Sequence, residues 1–341
     1  MKVGIYGAGG MGTVLGAYIS KAGYDIDLIN RNKDHVLGLN KNGAQIIGKT
    51  NFTQKVKAIL PEEMKDKYDI ILLMTKQRYN KEVVESIIPY LYEESLVCTM
   101  QNGLPEDSIA DAIGKDRTCG CVMSWGATFH GNGISELTSE ATRNTLTFNI
   151  GKFGNNDNNK FDYIVQLLNT MGTVTVEENF IGTRWAKLLI NSAFSGLSVI
   201  TDANFGDISK HKLAKLIALE VIKEGIEVAK AAKIKIEPIQ GKNIEKYLNY
   251  KTKFRRWISL MILPIAMKKH RLIKSSMLRD LQSGKETEID YINGVIKRYG
   301  IKYKISTPYN NKTIEIVKKI EKKELKSTWS NIDYFKSMVQ D

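Results

Sequence analysis

The sequence predicts an α/β Rossmann-type domain over residues 1–178, followed by an all-helical domain over 179–341. Three observations carry this. The chain opens strand, Gly7-Ala8-Gly9-Gly10-Met11-Gly12, helix. Apolar runs short enough for buried strands then alternate with helical stretches up to Val176. After Asn179 the hydrophobic period is helical and no strand pattern returns.

The first strand, Lys2 to Tyr6, runs into the glycine loop, and a helix from Met11 to Ala22 stops at Gly23. This is the G-x-G-x-x-G spacing in the strand–helix setting that gives it meaning. Gly7 permits the tight turn, Gly9 lets a pyrophosphate approach the backbone, and Gly12 lets the helix pack on the strand. Ala8, Gly10 and Met11 lie on the same loop, and the helix start offers unpaired amides and the positive end of a dipole to phosphates. The second strand, Asp25 to Ile29, ends at Asn30-Arg31-Asn32. An NAD site usually keeps an acid here. Asn30 followed by Arg31 suits a 2′-phosphate instead, although a solvated loop arginine would read the same way.

Residues 44–60 predict one or two edge strands. Tyr68 to Met74 is a covered parallel strand ending in Thr75-Lys76-Gln77, and Asn80 to Tyr92 an amphipathic helix. The next strand, Leu96 to Met100, ends in Gln101-Asn102-Gly103. Lys76 and Asn102 thus stand at equivalent strand ends, where ligand crevices form; Asn102-Gly103 is equally a plain turn. Cys119 to Phe129 predicts a strand, residues 133–153 an antiparallel extension, Asn158 to Met171 a helix, and Thr173 to Val176 a last strand. In the second part, helices are predicted over 181–200, 210–232, 239–250, 275–299 and 310–322.

The length, 341 residues, suits two domains, and 43% hydrophobic content can bury a sizeable core. A net charge of +13 raises the question of nucleic acid. No RNA-binding signature or zinc spacing accompanies it, so a lysine-rich surface that attracts small anions is the expectation, with no nucleic-acid partner and no metal. Cys98, Cys119 and Cys121 lie in or beside apolar runs and read as reduced core thiols of a cytoplasmic protein. Residues 258–267 form the longest apolar run of the second half, too short to span a bilayer. The stretch 251–274 therefore predicts a helical element over or beside the crevice that buries itself on the domain or at a dimer contact, broken or kinked near its middle by Pro264. Stable membrane association is not expected, and an interfacial helix is the second reading.

Lys187 and Asn191 are four apart on a largely apolar helix, and Ser195 continues their line. A lysine there either faces a cavity with a partner or runs its stem to water. Glu288, four before Ile292, falls on the apolar face of the helix predicted over 275–299; a buried acid wants a cation, and Lys187 is the obvious one.

The glycine fingerprint, Arg31, Thr75-Lys76 and Gln101-Asn102-Gly103 recur with three further pieces. These are Trp185-Ala186-Lys187-Leu188-Leu189-Ile190-Asn191, Ser275-Ser276-Met277-Leu278-Arg279-Asp280 and Thr287-Glu288-Ile289-Asp290-Tyr291-Ile292-Asn293-Gly294. On these the chain resembles the ketopantoate reductase (2-dehydropantoate 2-reductase) family across nearly its whole length. The resemblance implies a helical domain similar to that of 6-phosphogluconate dehydrogenase and NADPH-dependent reduction of ketopantoate to pantoate, in pantothenate synthesis. It implies Lys187 as general acid and Glu288 as its acidic partner, also touching cofactor. Asn191, Ser195 and Ser276 are implied as substrate contacts, and Lys76 and Asn102 as residues touching cofactor or substrate in a crevice between the domains. A homodimer is compatible with it. Two departures stand out. Ser195 occupies a place where the family often has a second asparagine, and the stretch 251–274 is longer and more basic than the family suggests. Both leave room for another branched 2-oxo acid as substrate. A non-enzymatic NADPH-binding sensor is the third reading, and it would call for a disrupted Lys187 or Glu288.

Overall fold

A computed structural model describes residues 1–155, 159–239 and 241–339. By internal packing the chain divides into two units, Met1–Phe180 and Ile181–Asp341.

The first unit runs β1 (Val3–Tyr6), α1 (Gly10–Lys21), β2 (Ile26–Ile29), α2 (Lys33–Asn42), β3 (Ala44–Gly48), β4 (Phe52–Gln54) and β5 (Lys57–Ile59). It continues with β6 (Tyr68–Leu73), α3 (Asn80–Ile87), β7 (Leu91–Thr99), α4 (Glu106–Ile113), β8 (Thr118–Met123), β9 (Ala127–Gly131), β10 (Ile134–Leu137), β11 (Thr147–Lys152), α5 (Asn159–Asn169) and β12 (Thr173–Val176). The main sheet has the order β12-β11-β8-β7-β6-β1-β2-β5. Its parallel part, β5 to β8, is the doubly wound 3-2-1-4-5-6 arrangement, in which strand order reverses between β1 and β6. β11 pairs antiparallel with β8, as the alternation over 133–153 predicts.

Strand side chains alternate between two cores because successive residues point to opposite faces. Ile5, Leu28, Ile70, Leu72 and Cys98 face one core with α1 and α5, while Tyr6, Ile29, Ile71, Leu73 and Val97 face the other with α3 and α4. Cys98, Cys119 and Cys121 all lie in the first of these cores.

Several boundaries differ from the sequence reading. Residues 44–60 make three strands, of which β3 and β4 belong to a separate sheet, β4-β3-β10-β9. The run Cys119 to Phe129 is not one strand. It breaks at Ser124-Trp125-Gly126, where the Trp125 ring turns in against Phe148 at 5.9 Å, and β9 resumes in the small sheet. The start expected at Asn158 lies outside the described residues; Asn159 is the first described in α5.

The second unit is helical: α6 (Phe180–Thr201), α7 (Phe205–Lys210), α8 (Lys212–Ala231), α9 (Ile244–Leu248), α10 (Lys253–Ala266), α11 (Ser276–Gln282), α12 (Asn293–Tyr303) and α13 (Pro308–Glu321), then a 3-10 segment Trp329–Met338. The helix predicted over 275–299 is interrupted. Gly284, at φ +70°, ends α11, and Glu288 caps a short 3-10 turn, Ile289–Tyr291, before α12. Glu288 is buried as expected, but on this turn and not on a helix face. The helix predicted over 239–250 contracts to α9. Pro264 does not break α10 at its middle. It lies in the last turn, two residues before the helix ends at Ala266, so the Leu260 carbonyl loses its intrahelical donor where little helix remains to be kinked.

Candidate active site

In the first unit the glycine loop is built as its spacing demands. Gly7 has φ +99°, and a Cβ there would stand 2.6 Å from the Thr75 amide nitrogen at the end of β6. A Cβ on Gly12 would stand 2.8 Å from the Gly7 carbonyl oxygen, so only glycine lets α1 come this close to β1. At Gly9 an added Cβ would meet nothing nearer than 4.0 Å, which leaves open space in front of the loop. The helical ladder of α1 begins with the Thr13 amide donating to the Gly9 carbonyl at 2.8 Å. The amides of Gly10, Met11 and Gly12 therefore precede it, with no capping side chain and no acid in the first turn. This cradle fits a pyrophosphate.

A buried chain of hydrogen bonds holds the loop from behind. The Gly133 amide donates to His35 Nδ1 at 3.1 Å, so the ring proton sits on Nε2, 3.0 Å from the Thr13 hydroxyl. Thr13 in turn donates to the Ala8 carbonyl at 3.0 Å. Burial holds the His35 pKa below its usual value, which keeps the ring in this neutral form. Nothing in the sequence pattern marks His35 for this role.

At the end of β2, Asn30 accepts from the Asn32 amide at 2.8 Å, and Asn32 caps α2 by accepting from the His35 amide at 2.9 Å. Arg31 is exposed, and its guanidinium lies over the Tyr79 ring at 4.8 Å; Arg78 approaches the same ring at 5.2 Å. Two cations thus approach one aromatic ring beside the end of β2, where a 2′-phosphate would be read. Arg31 was legible from its place after β2. Arg78 and Tyr79 were not, because their position depends on the pairing of β1 with both β2 and β6.

Lys76 and Asn102 fall where their strands predict. Leu73 pairs with Thr99, and Lys76 and Asn102 each lie three residues beyond these paired strand ends. Gln77 donates to the Asn102 carbonyl, and Gln101 ties the two ends together by donating to the Thr75 carbonyl at 2.8 Å and to Asn80 Oδ1 at 2.7 Å. Gly103, at φ +81°, shows that Asn102 begins a turn after β7.

In the second unit, α6 is fixed on one side. Trp185 is fully buried, donates from Nε1 to the Gly225 carbonyl at 3.0 Å, and meets Tyr299 edge-on at 5.2 Å. Asn293 Nδ2 donates to the Ser192 carbonyl at 3.0 Å, and a Cβ on Gly196 would stand 3.6 Å from Ile289 Cδ1. At about 100° per residue, Trp185, Leu189, Ser192 and Gly196 form this fixed side. Lys187, Asn191, Ser195 and Ser198 then fall on the other, with Lys187 and Asn191 half-buried. The start of α11 docks on that second line. Ser275 Oγ donates to the Ser195 carbonyl at 3.3 Å, and the Ser275 amide donates to Ser198 Oγ at 3.3 Å. Ser276, the first residue of α11, is thereby brought beside Ser195. Lys187 lies two turns from Ser195, about 12 Å along the axis. Glu288 enters on the turn whose next residue, Ile289, packs toward Gly196. Among the described residues no group of three or more His, Cys, Asp or Glu could hold a metal ion.

Fold and loop together define a dinucleotide-binding α/β domain joined to a helical domain that carries a lysine, an asparagine and serines along one helix face. Comparisons with known proteins narrow this. The model described as ketopantoate reductase PanE/ApbA matches residues 3–152, and its C-terminal counterpart matches 179–321. A 2-dehydropantoate 2-reductase of Pyrococcus horikoshii is 31% identical over 314 residues, 91% of this chain and 94% of that protein. One from Streptococcus pyogenes is 27% identical over 320 residues, 93% and 97%. The chain belongs to the ketopantoate reductase family. Among solved structures, D-mandelate dehydrogenase with NADH and anilino(oxo)acetate superposes with TM-score 0.80 at 23% identity, covering 95% of this chain and 99% of that one. A ketopantoate reductase from Ralstonia eutropha gives 0.79 at 23%, with the same coverage. These likenesses bear on the fold.

Proposed function

We propose that the protein reduces ketopantoate to pantoate with NADPH. The observation that carries this reading is the α6 line of Lys187, Asn191 and Ser195 with Ser276 docked at its end, in a chain of this family. When bound, the nicotinamide supplies a hydride to C2 of the 2-oxo acid. The carbonyl oxygen then gains negative charge, and the Lys187 ammonium donates its proton there, stabilising charge where it develops. Asn191, Ser195 and Ser276 orient the substrate by hydrogen bonds, and Glu288 is the acidic partner of the lysine. On the cofactor side, the residue 7–12 loop receives the pyrophosphate, Arg31 the 2′-phosphate, and Lys76 and Asn102 line the approach.

A second reading, reduction of another branched 2-oxo acid, is favoured by Ser195. Its hydroxyl is shorter than an asparagine amide, so a differently shaped substrate would fit beside it. NADPH oxidation with ketopantoate against a panel of 2-oxo acids decides between them. Ketopantoate should give the highest kcat/KM; a clear preference for another acid would move the assignment to the second reading. The three cysteines, buried and outside any disulfide, support a cytoplasmic setting, and a homodimer remains part of the proposal.

A further inference from the structure

The second unit carries an apolar stripe that the active-site reading does not use. On α10, Ser259 and Leu263 are buried at 2% and 0%, turned toward α8 and α9. At about 100° per residue the opposite side carries Phe254, Trp257, Met261 and Ile265, which are 69%, 59%, 53% and 68% exposed. The expectation that this stretch buries its apolar side on the domain is thus corrected: the helix packs by its serine–leucine side and turns its larger hydrophobics outward. Leu272, 81% exposed, extends the stripe beyond the helix. The segment is held at its far end, where the Gly206 amide donates to the Arg271 carbonyl at 2.9 Å and the Phe205 amide to the Ile273 carbonyl at 3.0 Å.

Charge identifies the occupant. Residues 246–279 contain ten Lys and Arg and no Asp or Glu, while the whole chain has 37 acids among 341 residues, a density that would place about four in such a run. Arg256 turns in to Glu220 at 3.6 Å and Lys274 to Asp202 at 2.9 Å. Lys253 and Arg255 flank the stripe on either side, and Lys268, Lys269 and Arg271 follow it, all exposed. A second copy seated on this face would bring one acid-free run against another, so like charges oppose self-association. An anionic lipid surface answers both features: headgroups meet the cations while the aromatic and aliphatic side chains enter the acyl boundary. Among the described residues no helix is long and apolar enough to cross a membrane, so the contact lies in the plane of the interface.

We propose that α10 and the basic turn after it dock the protein reversibly on an anionic membrane surface. The test is flotation of the full-length protein with phosphatidylcholine vesicles, with and without about a third phosphatidylserine, at low and high salt. Binding should be at least about ten-fold stronger to the anionic vesicles, weaken at high salt, and shift Trp257 emission to the blue. Phe254→Ser with Trp257→Ser, and separately Lys268→Glu with Lys269→Glu, should each lower it about ten-fold with the melting temperature unchanged, because all four side chains are exposed. Should the serine pair unfold the protein, the charge pair and the wild-type Trp257 emission still decide. No vesicle binding, or equal binding to neutral and anionic vesicles, overturns the proposal. So does a dimer that the serine pair converts to monomer without vesicle binding, or capture by polyglutamate but not by vesicles.

Discussion

His35 Nε2 stands 3.0 Å from the Thr13 hydroxyl, and through it the ring supports the Ala8 carbonyl of the glycine loop. Replacing His35 with Ala removes two buried hydrogen bonds behind a loop proposed to meet the cofactor through its backbone. NADPH affinity should fall roughly five-fold, about 1 kcal/mol, while kcat with saturating cofactor changes less. Calorimetric titration checks this; a lower melting temperature with unchanged affinity would make the chain merely structural. Because burial holds the folded pKa down, its stabilising effect is complete above the ordinary histidine value and is lost as pH falls below it.

Arg31 lies over Tyr79, and Arg78 approaches the same ring. Arg31→Ala should weaken NADPH by about 1.5–3 kcal/mol and leave NADH nearly untouched. Equal loss for both cofactors would show that the guanidinium serves the loop and not the phosphate. Tyr79→Ala should weaken NADPH to a smaller degree, since it removes only the surface on which the arginines rest.

Glu224 caps α13, accepting from the Tyr309 amide at 2.7 Å and from the Asn310 amide at 2.9 Å. Burial nevertheless pushes its pKa up to about 7. The folded state therefore holds a proton that the unfolded state has released between pH 4.5 and 7, so stability is fullest below this window and declines as pH rises through it. Chemical denaturation across that range should show the decline in the wild type and a flatter profile in Glu224→Gln. A parallel profile would assign the titration elsewhere.

Glu288→Gln keeps the shape of the buried side chain and removes its charge. With Glu288 as the partner of Lys187, turnover should drop sharply and the pH–rate profile should move. A drop in stability with an unmoved profile would leave Glu288 a structural residue of its turn.

What the sequence made legible was local. The loop from Gly7 to Gly12 and the line of Lys187, Asn191 and Ser195 follow from spacing alone, because the turn and the helix period are fixed by neighbours in the chain. The break at Ser124-Trp125-Gly126 was hidden, since β8 and β9 are both apolar and only their partners in different sheets separate them. The interruption before Glu288 had a signal in Gly284, outweighed by helical spacing on either side of it. His35, Tyr79 and Asn310 were out of reach because each acquires its role from a residue far away in sequence. The outward stripe of α10 is the same kind of case. Periodicity identifies an apolar side, while only the tertiary fold shows which side the helix turns to the protein.

Lys187 is proposed to donate the proton that completes reduction of a 2-oxo acid. The direct measurement is the single-turnover rate of NADPH oxidation with saturating ketopantoate, wild type against Lys187→Ala, with NADPH affinity measured in parallel. A loss of about a hundred-fold or more in rate is expected, with affinity kept. An unchanged rate in Lys187→Ala would contradict it.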